Sequence, residues 1–371
     1  MGNSSSLVSE QWDDVLAWLP PDLEELAFSS GAIRRRRSVD SASLLLRISL
    51  VYSVLDLSLR STAAWFAGAG LGAMSDVAIL NRLRSATPFL EALLSELLSK
   101  RIQPTQGNFP LRLRLIDATC ISAPGNTGTE WRVHMTYDPL QSRITHVEIT
   151  DGHGGEHLGR CNAEAGKLIV ADRGYHHADR ILETDDKGAQ VLLRIGHRAV
   201  RLFDASDERL DPVDCARELF GKVGRSNRVL SVPVWIEGSA AKRRTARLIV
   251  IRKSREATQK ELRRLHVENR RKGRELSDRS KEAAAFTFLL TTVSDPTISD
   301  RDLAEMYRVR WQIELAFKRL KSLLNLDALR ARDAQLARTY LLGKLICAVL
   351  MEAIAEECRG FSPWGIPLRP A

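Results

Sequence analysis

An α/β fold preceded by a helical N-terminal region is predicted by three features of the sequence. Apolar residues recur every three or four positions through Leu44–Leu57 and Val77–Leu98, the period of amphipathic helices. After Pro110 the period changes: Leu111, Leu113 and Leu115 alternate with Arg112 and Arg114, as in a half-buried strand. Short continuous apolar runs such as Leu168-Ile169-Val170-Ala171 then alternate with helical stretches, as buried strands do in an α/β sheet. With 371 residues, 44% of them hydrophobic, the chain can hold two or three domains around a sizeable core.

Composition narrows the function classes. The most apolar stretch, Leu44–Leu59, is interrupted by Arg47 and Asp56, so no membrane-spanning helix is expected. The N-terminus lacks a basic segment followed by an apolar core, which argues against secretion. Met1–Ser6 fits the N-myristoylation pattern but reads more simply as a polar start. Cysteines 120, 161, 215, 347 and 358 are scattered without a Cys-x-x-Cys pair, which points to the cytoplasm and against a disulfide framework or a thiolate zinc site. The net charge of +9 is concentrated in Arg34–Arg37 and Arg252–Lys281. Each run alone reads as solvated surface, and becomes a polyanion contact only where other features call for one.

Residues 1–105 read as one helical unit. Ser61–Ala67, a Gly68-Ala69-Gly70 turn and a helix from Asp76 capped by Ser75, with Asn81, Arg82 and Arg84 exposed, suit a helix-turn-helix on DNA. Any antiparallel helix pair in a bundle would read the same way. Residues 106–331 form the α/β unit. Its strands are the run into Ile116-Asp117-Ala118-Thr119, Arg132–Tyr137 and Ile144–Thr150 around an Asp138-Pro139 turn, Leu168–Ala171, and Val191–Arg194. Residues 196–284 read as a mainly β insertion, with runs at Val229–Ile236 and Ala246–Ile251 before a basic, helix-prone stretch. Ser299 and Asp302 then form a capping box for one long helix reaching about Leu324. Residues 332–371 comprise a short helical segment, Ala334–Glu357, and a proline-bearing tail.

The chemistry concentrates on the helix after Ser299. At about 100° per residue, Tyr307, Arg310, Glu314, Lys318 and Lys321 share an arc of about 80°. Met306, Val309, Ile313, Phe317, Leu320 and Leu324 form the apolar stripe beside it. By itself that face could be a solvated row of i,i+4 ion pairs, each contributing a few tenths of a kcal/mol. Two aspartates change the reading. Asp117 lies in the first strand, and Asp172 closes the buried run before Arg173-Gly174-Tyr175. With Glu314 they supply three hard oxygen donors, the set that Mg2+ or Mn2+ takes while keeping waters and a phosphate oxygen. Two such ions can clamp the attacking and leaving oxygens of a phosphoryl displacement, with the neighbouring cations holding the polyanion.

Tyr307-x2-Arg310-x3-Glu314-x6-Lys321 has the spacing of the Y-R-E-K signature of the insertion-sequence-four family of bacterial DDE transposases. Ile116-Asp117-Ala118-Thr119 and Val170-Ala171-Asp172-Arg173-Gly174-Tyr175 resemble the family's two aspartate motifs, in the right order, and the resemblance spans roughly residues 40 to 330. It implies an RNase H-like catalytic core with an insertion between the second aspartate and the glutamate helix. It also implies a cut-and-paste mechanism: cleavage at transposon ends and strand transfer to target DNA, using two Mg2+ (or Mn2+) ions held by Asp117, Asp172 and Glu314. Tyr307, Arg310 and Lys321 would contact the DNA backbone, with Lys318 a helper. Related enzymes pass through a DNA hairpin and hold a flipped base on aromatic side chains, for which Trp235 is the candidate. The expected partners are double-stranded DNA, as terminal inverted repeats and target, and a second copy of the chain on that DNA; the expected location is the bacterial cytoplasm, at the nucleoid when DNA-bound. The segment after Lys321 is shorter than in larger members, so the alternative is an end-binding remnant or repressor. His153-Gly154-Gly155-Glu156-His157 has the letters of an H-x-x-E-H metalloprotease motif, but its glycines argue for a loop rather than the helix that chemistry needs.

Overall fold

The computed structural model describes residues 12–34, 38–100, 111–123, 125–126, 128–222, 228–239 and 241–358. The Met1–Ser6 start, most of the Arg34–Arg37 run and the tail from 361 lie outside these residues. The centre is one mixed sheet of ten strands: β1 (Arg112–Ile121), β2 (Trp131–Asp138), β3 (Arg143–Asp151), β4 (Lys167–Ala171), β5 (Gln190–Ile195), β6 (Leu202–Phe203), β7 (Arg209–Leu210), β8 (Val229–Glu237), β9 (Arg243–Arg252) and β10 (Phe286–Thr291). They lie in the order β3-β2-β1-β4-β5-β10-β9-β8-β6-β7. The first three form an antiparallel meander, whereas β1, β4 and β5 run parallel.

Alternation along the central strands explains why both faces are covered. Leu113, Leu115, Leu168, Val170 and Leu192 join one core, while Ile116, Ile169, Ala171, Val191 and Leu193 join a second on the opposite face. The half-buried strand expected at Leu111–Leu115 is therefore buried on both sides. Arg114 is tolerated there because its Nη1 donates to Asp138 Oδ2 at 2.8 Å, both side chains being almost fully buried. Asp138 also fixes the predicted turn, accepting from the amides of Leu140 and Gln141.

The helices of the N-terminal region are α1 (Leu23–Ser29), α2 (Ala42–Val54), α3 (Leu59–Gly68) and α4 (Asp76–Ser99). Ser41, Ser58 and Ser75 cap α2, α3 and α4 by accepting from a backbone amide three residues on. α5 (Ala178–Asp186) lies between β4 and β5 and α6 (Pro212–Lys222) between β7 and β8; then come α7 (Arg255–Arg271) and α8 (Asp278–Ala283) between β9 and β10, and α9 (Asp300–Arg308), α10 (Trp311–Leu324) and α11 (Ala334–Cys358) after the sheet. No helix among the described residues is long and apolar enough to cross a membrane.

Two arrangements differ from the sequence reading. The segment 196–284 is not mainly β: α6, α7 and α8 accompany β6–β9, and its strands continue the central sheet through β10. The C-terminal helix α11 is also not a separate appendage. It packs into the N-terminal bundle, where a side chain at Gly343 would collide with Ser53 Oγ at 2.1 Å. Thr87 and Thr339 share a buried hydroxyl bond of 2.8 Å. Lys344, wholly buried, donates to Asp56 Oδ1 at 2.9 Å and to the Asn325 carbonyl at 3.0 Å. Arg84, expected to face DNA, instead holds both carboxylate oxygens of Asp333, just before α11.

Candidate active site

Strand register brings the two aspartates together. In the parallel β1–β4 pair Leu115 stands opposite Val170, the last paired position, so Asp117 follows two residues later on β1 and Asp172 two residues later, just past the end of β4. Both share the face of Leu115 and Val170, because side chains alternate. Asp172 leaves β4 as the N-cap of a short 3-10 turn, its Oδ1 accepting from the Gly174 amide at 2.8 Å. Asp117 Oδ1 accepts from the Ala118 amide at 2.9 Å.

Glu314 arrives on that same face. Ile313, Phe317, Leu320 and Leu324 are buried in the first core, which seats α10 over the sheet and leaves Glu314 and Lys318 exposed. The long helix expected from Ser299 is interrupted. The Ser299–Asp302 capping box opens α9 as foreseen, but Val309, Arg310, Gln312 and Ile313 donate to carbonyls three residues back rather than four. This tightened stretch joins α9 to α10 and sets Arg310 between the carboxylates. Its Nη1 lies 3.7 Å from Asp117 Oδ2, and its Nη2 pairs with Glu314 Oε1.

The electrostatics are those of a site short of positive charge. Burial, and then the neighbouring Asp172 and Glu156, outweigh the Ala118 amide and Arg310 and push the Asp117 carboxyl up to about 6. Glu156 is raised too, by burial first and then by Asp172. Among the described residues no three acidic, histidine or cysteine side chains stand close enough to hold a metal ion as they are. The donor chemistry nevertheless fits a hard divalent cation: carboxylate oxygens only, with the Arg310 guanidinium as the positive charge bridging Asp117 and Glu314.

A second group of charges borders Asp172. Arg173, on the next residue, and Arg194 of β5 each approach Glu261 of α7 to 4.0 Å, and Arg264 pairs with it at 2.8 Å. Lys253 joins them, its ammonium lowered to about 8 by burial chiefly. Glu261, with Glu268 pairing with Arg264 at 3.2 Å, is thus outnumbered by four cations, which leaves a net positive surface beside the aspartates. The basic composition of this stretch was visible in the sequence, but not its approach to Asp172.

Trp235 is not brought to the site. It lies on β8, four strands along from β4, or about 19 Å at ~4.8 Å per strand. Trp311, 54% exposed in the first turn of α10, is the aromatic beside Glu314, and its position three residues before the glutamate was the signal that could have found it. His153–His157 is loop, as its glycines suggested, and His176-His177 precede α5.

This geometry agrees with what the chain resembles. The transposase DDE domain model matches residues 108–350, from the start of β1 into α11. The chain belongs to the DDE transposase family. It is 38% identical over 363 residues to the transposase for insertion sequence element IS421 of Escherichia coli, covering 95% of this chain and 96% of that one. The transposase for insertion sequence element IS231F of Bacillus thuringiensis subsp. israelensis is 24% identical over 281 residues, covering 67% of this chain and 57% of that one. DDE transposase domains have an RNase H-like fold and use divalent metals, and the mixed sheet and its carboxylate face are compatible with both.

Proposed function

We propose that this DDE transposase belongs to the insertion-sequence-four group and moves its element by cutting and pasting. The observation that carries this reading is the approach of Asp117 on β1 and Asp172 at the end of the adjacent parallel strand β4, with Glu314 tied to Asp117 through Arg310. Asp117, Asp172 and Glu314 would hold two Mg2+ (or Mn2+) ions. When bound, these supply an activated oxygen nucleophile and charge neutralisation at the phosphate being cut. The chain's own groups do the rest. Arg310, now beside Asp117 and Glu314, would be placed to meet a phosphate oxygen when cations occupy those carboxylates, and Tyr307, Lys318 and Lys321 would grip the same backbone. The cluster of Arg173, Arg194, Lys253 and Arg264 continues the positive track past Asp172. Trp311 replaces Trp235 as the surface on which an unstacked base rests.

The substrates on this reading are the element's terminal inverted repeats and a target duplex, joined by a pair of transposase copies. A strand-transfer assay tests it: labelled duplex carrying an element end is incubated with plasmid, protein and Mg2+. Covalent insertion of the label into plasmid through the 3′ end is the expected outcome. Specific binding of the end without cutting or joining would favour the end-binding remnant.

A further inference from the structure

The loop between β3 and β4 delivers a fourth carboxylate to the site. Its glycines let it lie flat: a Cβ at Gly152 would stand 2.2 Å from the Thr129 carbonyl oxygen, and one at Gly154 2.2 Å from Thr150 Oγ1. Arg132 Nη1 donates to the Gly154 carbonyl and Arg160 Nε to the Gly155 carbonyl, both at 2.7 Å. The next residue, Glu156, is therefore presented by a pinned segment. A Cβ at Gly174 would lie 2.2 Å from Glu156 Oε2 and 3.2 Å from Asp172 Oδ1, so these two oxygens are no farther apart than those distances combined. Among the described residues no side chain or amide forms a hydrogen bond or ion pair with the Glu156 carboxylate.

A separate observation comes from Tyr175. It is completely buried, and its hydroxyl has no hydrogen-bond partner among the described residues. Tyr175 closes the turn that Asp172 caps, its amide donating to the Asp172 carbonyl at 3.4 Å. Burial chiefly, and then the charges of Glu156, Asp117 and Asp172 in that order, hold the phenol protonated. Buried hydroxyls are nearly always paired, so an orphan one in the turn beside Asp172 marks a place completed by something the protein does not supply. Crowded, partly buried carboxylates call for a cation, and a hydroxyl beside them for a water on that cation.

We propose that Glu156 is a fourth carboxylate of the divalent-cation site, acting from the pinned loop on the cation shared by Asp117 and Asp172, with the Tyr175 hydroxyl holding a water of that cation. The inference rests on the reading of Asp117 and Asp172 as cation ligands, and the test separates the two. Mn2+ is titrated into the full chain without DNA, and free Mn2+ is followed by electron paramagnetic resonance. Wild type should bind, and Asp117→Asn should bind at least about tenfold more weakly. Glu156→Gln should also weaken binding by about tenfold, with Glu156→Asp in between and Tyr175→Phe showing a smaller loss. Weakening by Asp117→Asn while both Glu156 variants keep wild-type affinity would overturn the role of Glu156 alone. Wild-type affinity in Asp117→Asn would overturn the cation reading itself. Should Glu156→Gln fail to fold, Glu156→Asp decides: weaker binding supports the assignment, and unchanged binding refutes it.

Discussion

Replacing Asp117 with asparagine should stabilise the metal-free protein while abolishing its activity. The Asp117 carboxyl is pushed from 3.8 up to about 6, by burial first and then by Asp172. At 1.36 kcal/mol per unit this is a penalty of about 3 kcal/mol on the ionised form. In the unfolded chain the group loses its proton near pH 3.8, and in the folded chain near pH 6. Between these values the native state therefore binds more protons than the unfolded state. The associated stability is present below about pH 4 and is lost as pH rises through 6. Asparagine keeps the shape and the acceptor for the Ala118 amide but carries no charge. The attraction of Arg310 at 3.7 Å is already contained in the value of about 6, so its loss with the charge subtracts nothing further. The net expectation is a variant about 3 kcal/mol more stable than wild type at pH 7.5 in EDTA, with almost no advantage at pH 4. Urea unfolding at both pH values measures it, and added Mg2+ should stabilise wild type but not the variant. Equal or lower stability of Asp117→Asn at pH 7.5, or the same gain at pH 4, would refute the argument.

Other substitutions follow from the same geometry. Lys344→Met removes the buried cation beside Asp56 and should cost about 3 kcal/mol of unfolding free energy, read from urea midpoints. Lys318→Ala and Lys321→Ala should each lower the slope of log affinity for element-end DNA against log salt by about 1, leaving stability within about 0.5 kcal/mol of wild type. Trp311→Ala should slow opening of a pre-formed hairpin substrate by about tenfold relative to first-strand nicking. Trp235→Ala, on the distant β8 strand, should leave that ratio unchanged, and an effect confined to Trp235 would reverse the assignment.

Much of the site was legible because it depends on local rules. Asp117 and Asp172 follow apolar strand runs, and α10 shows Glu314, Lys318 and Lys321 beside an apolar stripe, with Arg310 just before that helix and Tyr307 on α9. What escaped depends on tertiary contact. No proline or glycine marks the tightened stretch at Val309–Arg310, so a continuous helix was the natural reading. Glu156 sits in a loop whose letters suggested a different motif, and only the fold lays it against Gly174. Helix α11 is apolar enough to pack on something, but its partner is chosen by the fit of Gly343 against Ser53 and the Lys344–Asp56 pair, which no periodicity encodes. The charge of α7 reads as a solvated face until the sheet brings Arg173 and Arg194 to Glu261. Trp235 misled because its β-like run was correct while its place in the strand order was invisible.

The central claim is that Asp117, Asp172 and Glu314 form one metal-dependent cutting site. The most direct measurement is nicking of labelled DNA that carries the element's ends, with Mg2+, by wild type and by Glu314→Gln. Glu314 is an exposed side chain on α10, so the variant should fold and bind DNA like wild type. The expected result is nicking at the element boundary by wild type that requires Mg2+ and falls by more than about a hundredfold in the variant. Undiminished nicking by Glu314→Gln, or nicking by wild type in EDTA, would contradict the claim.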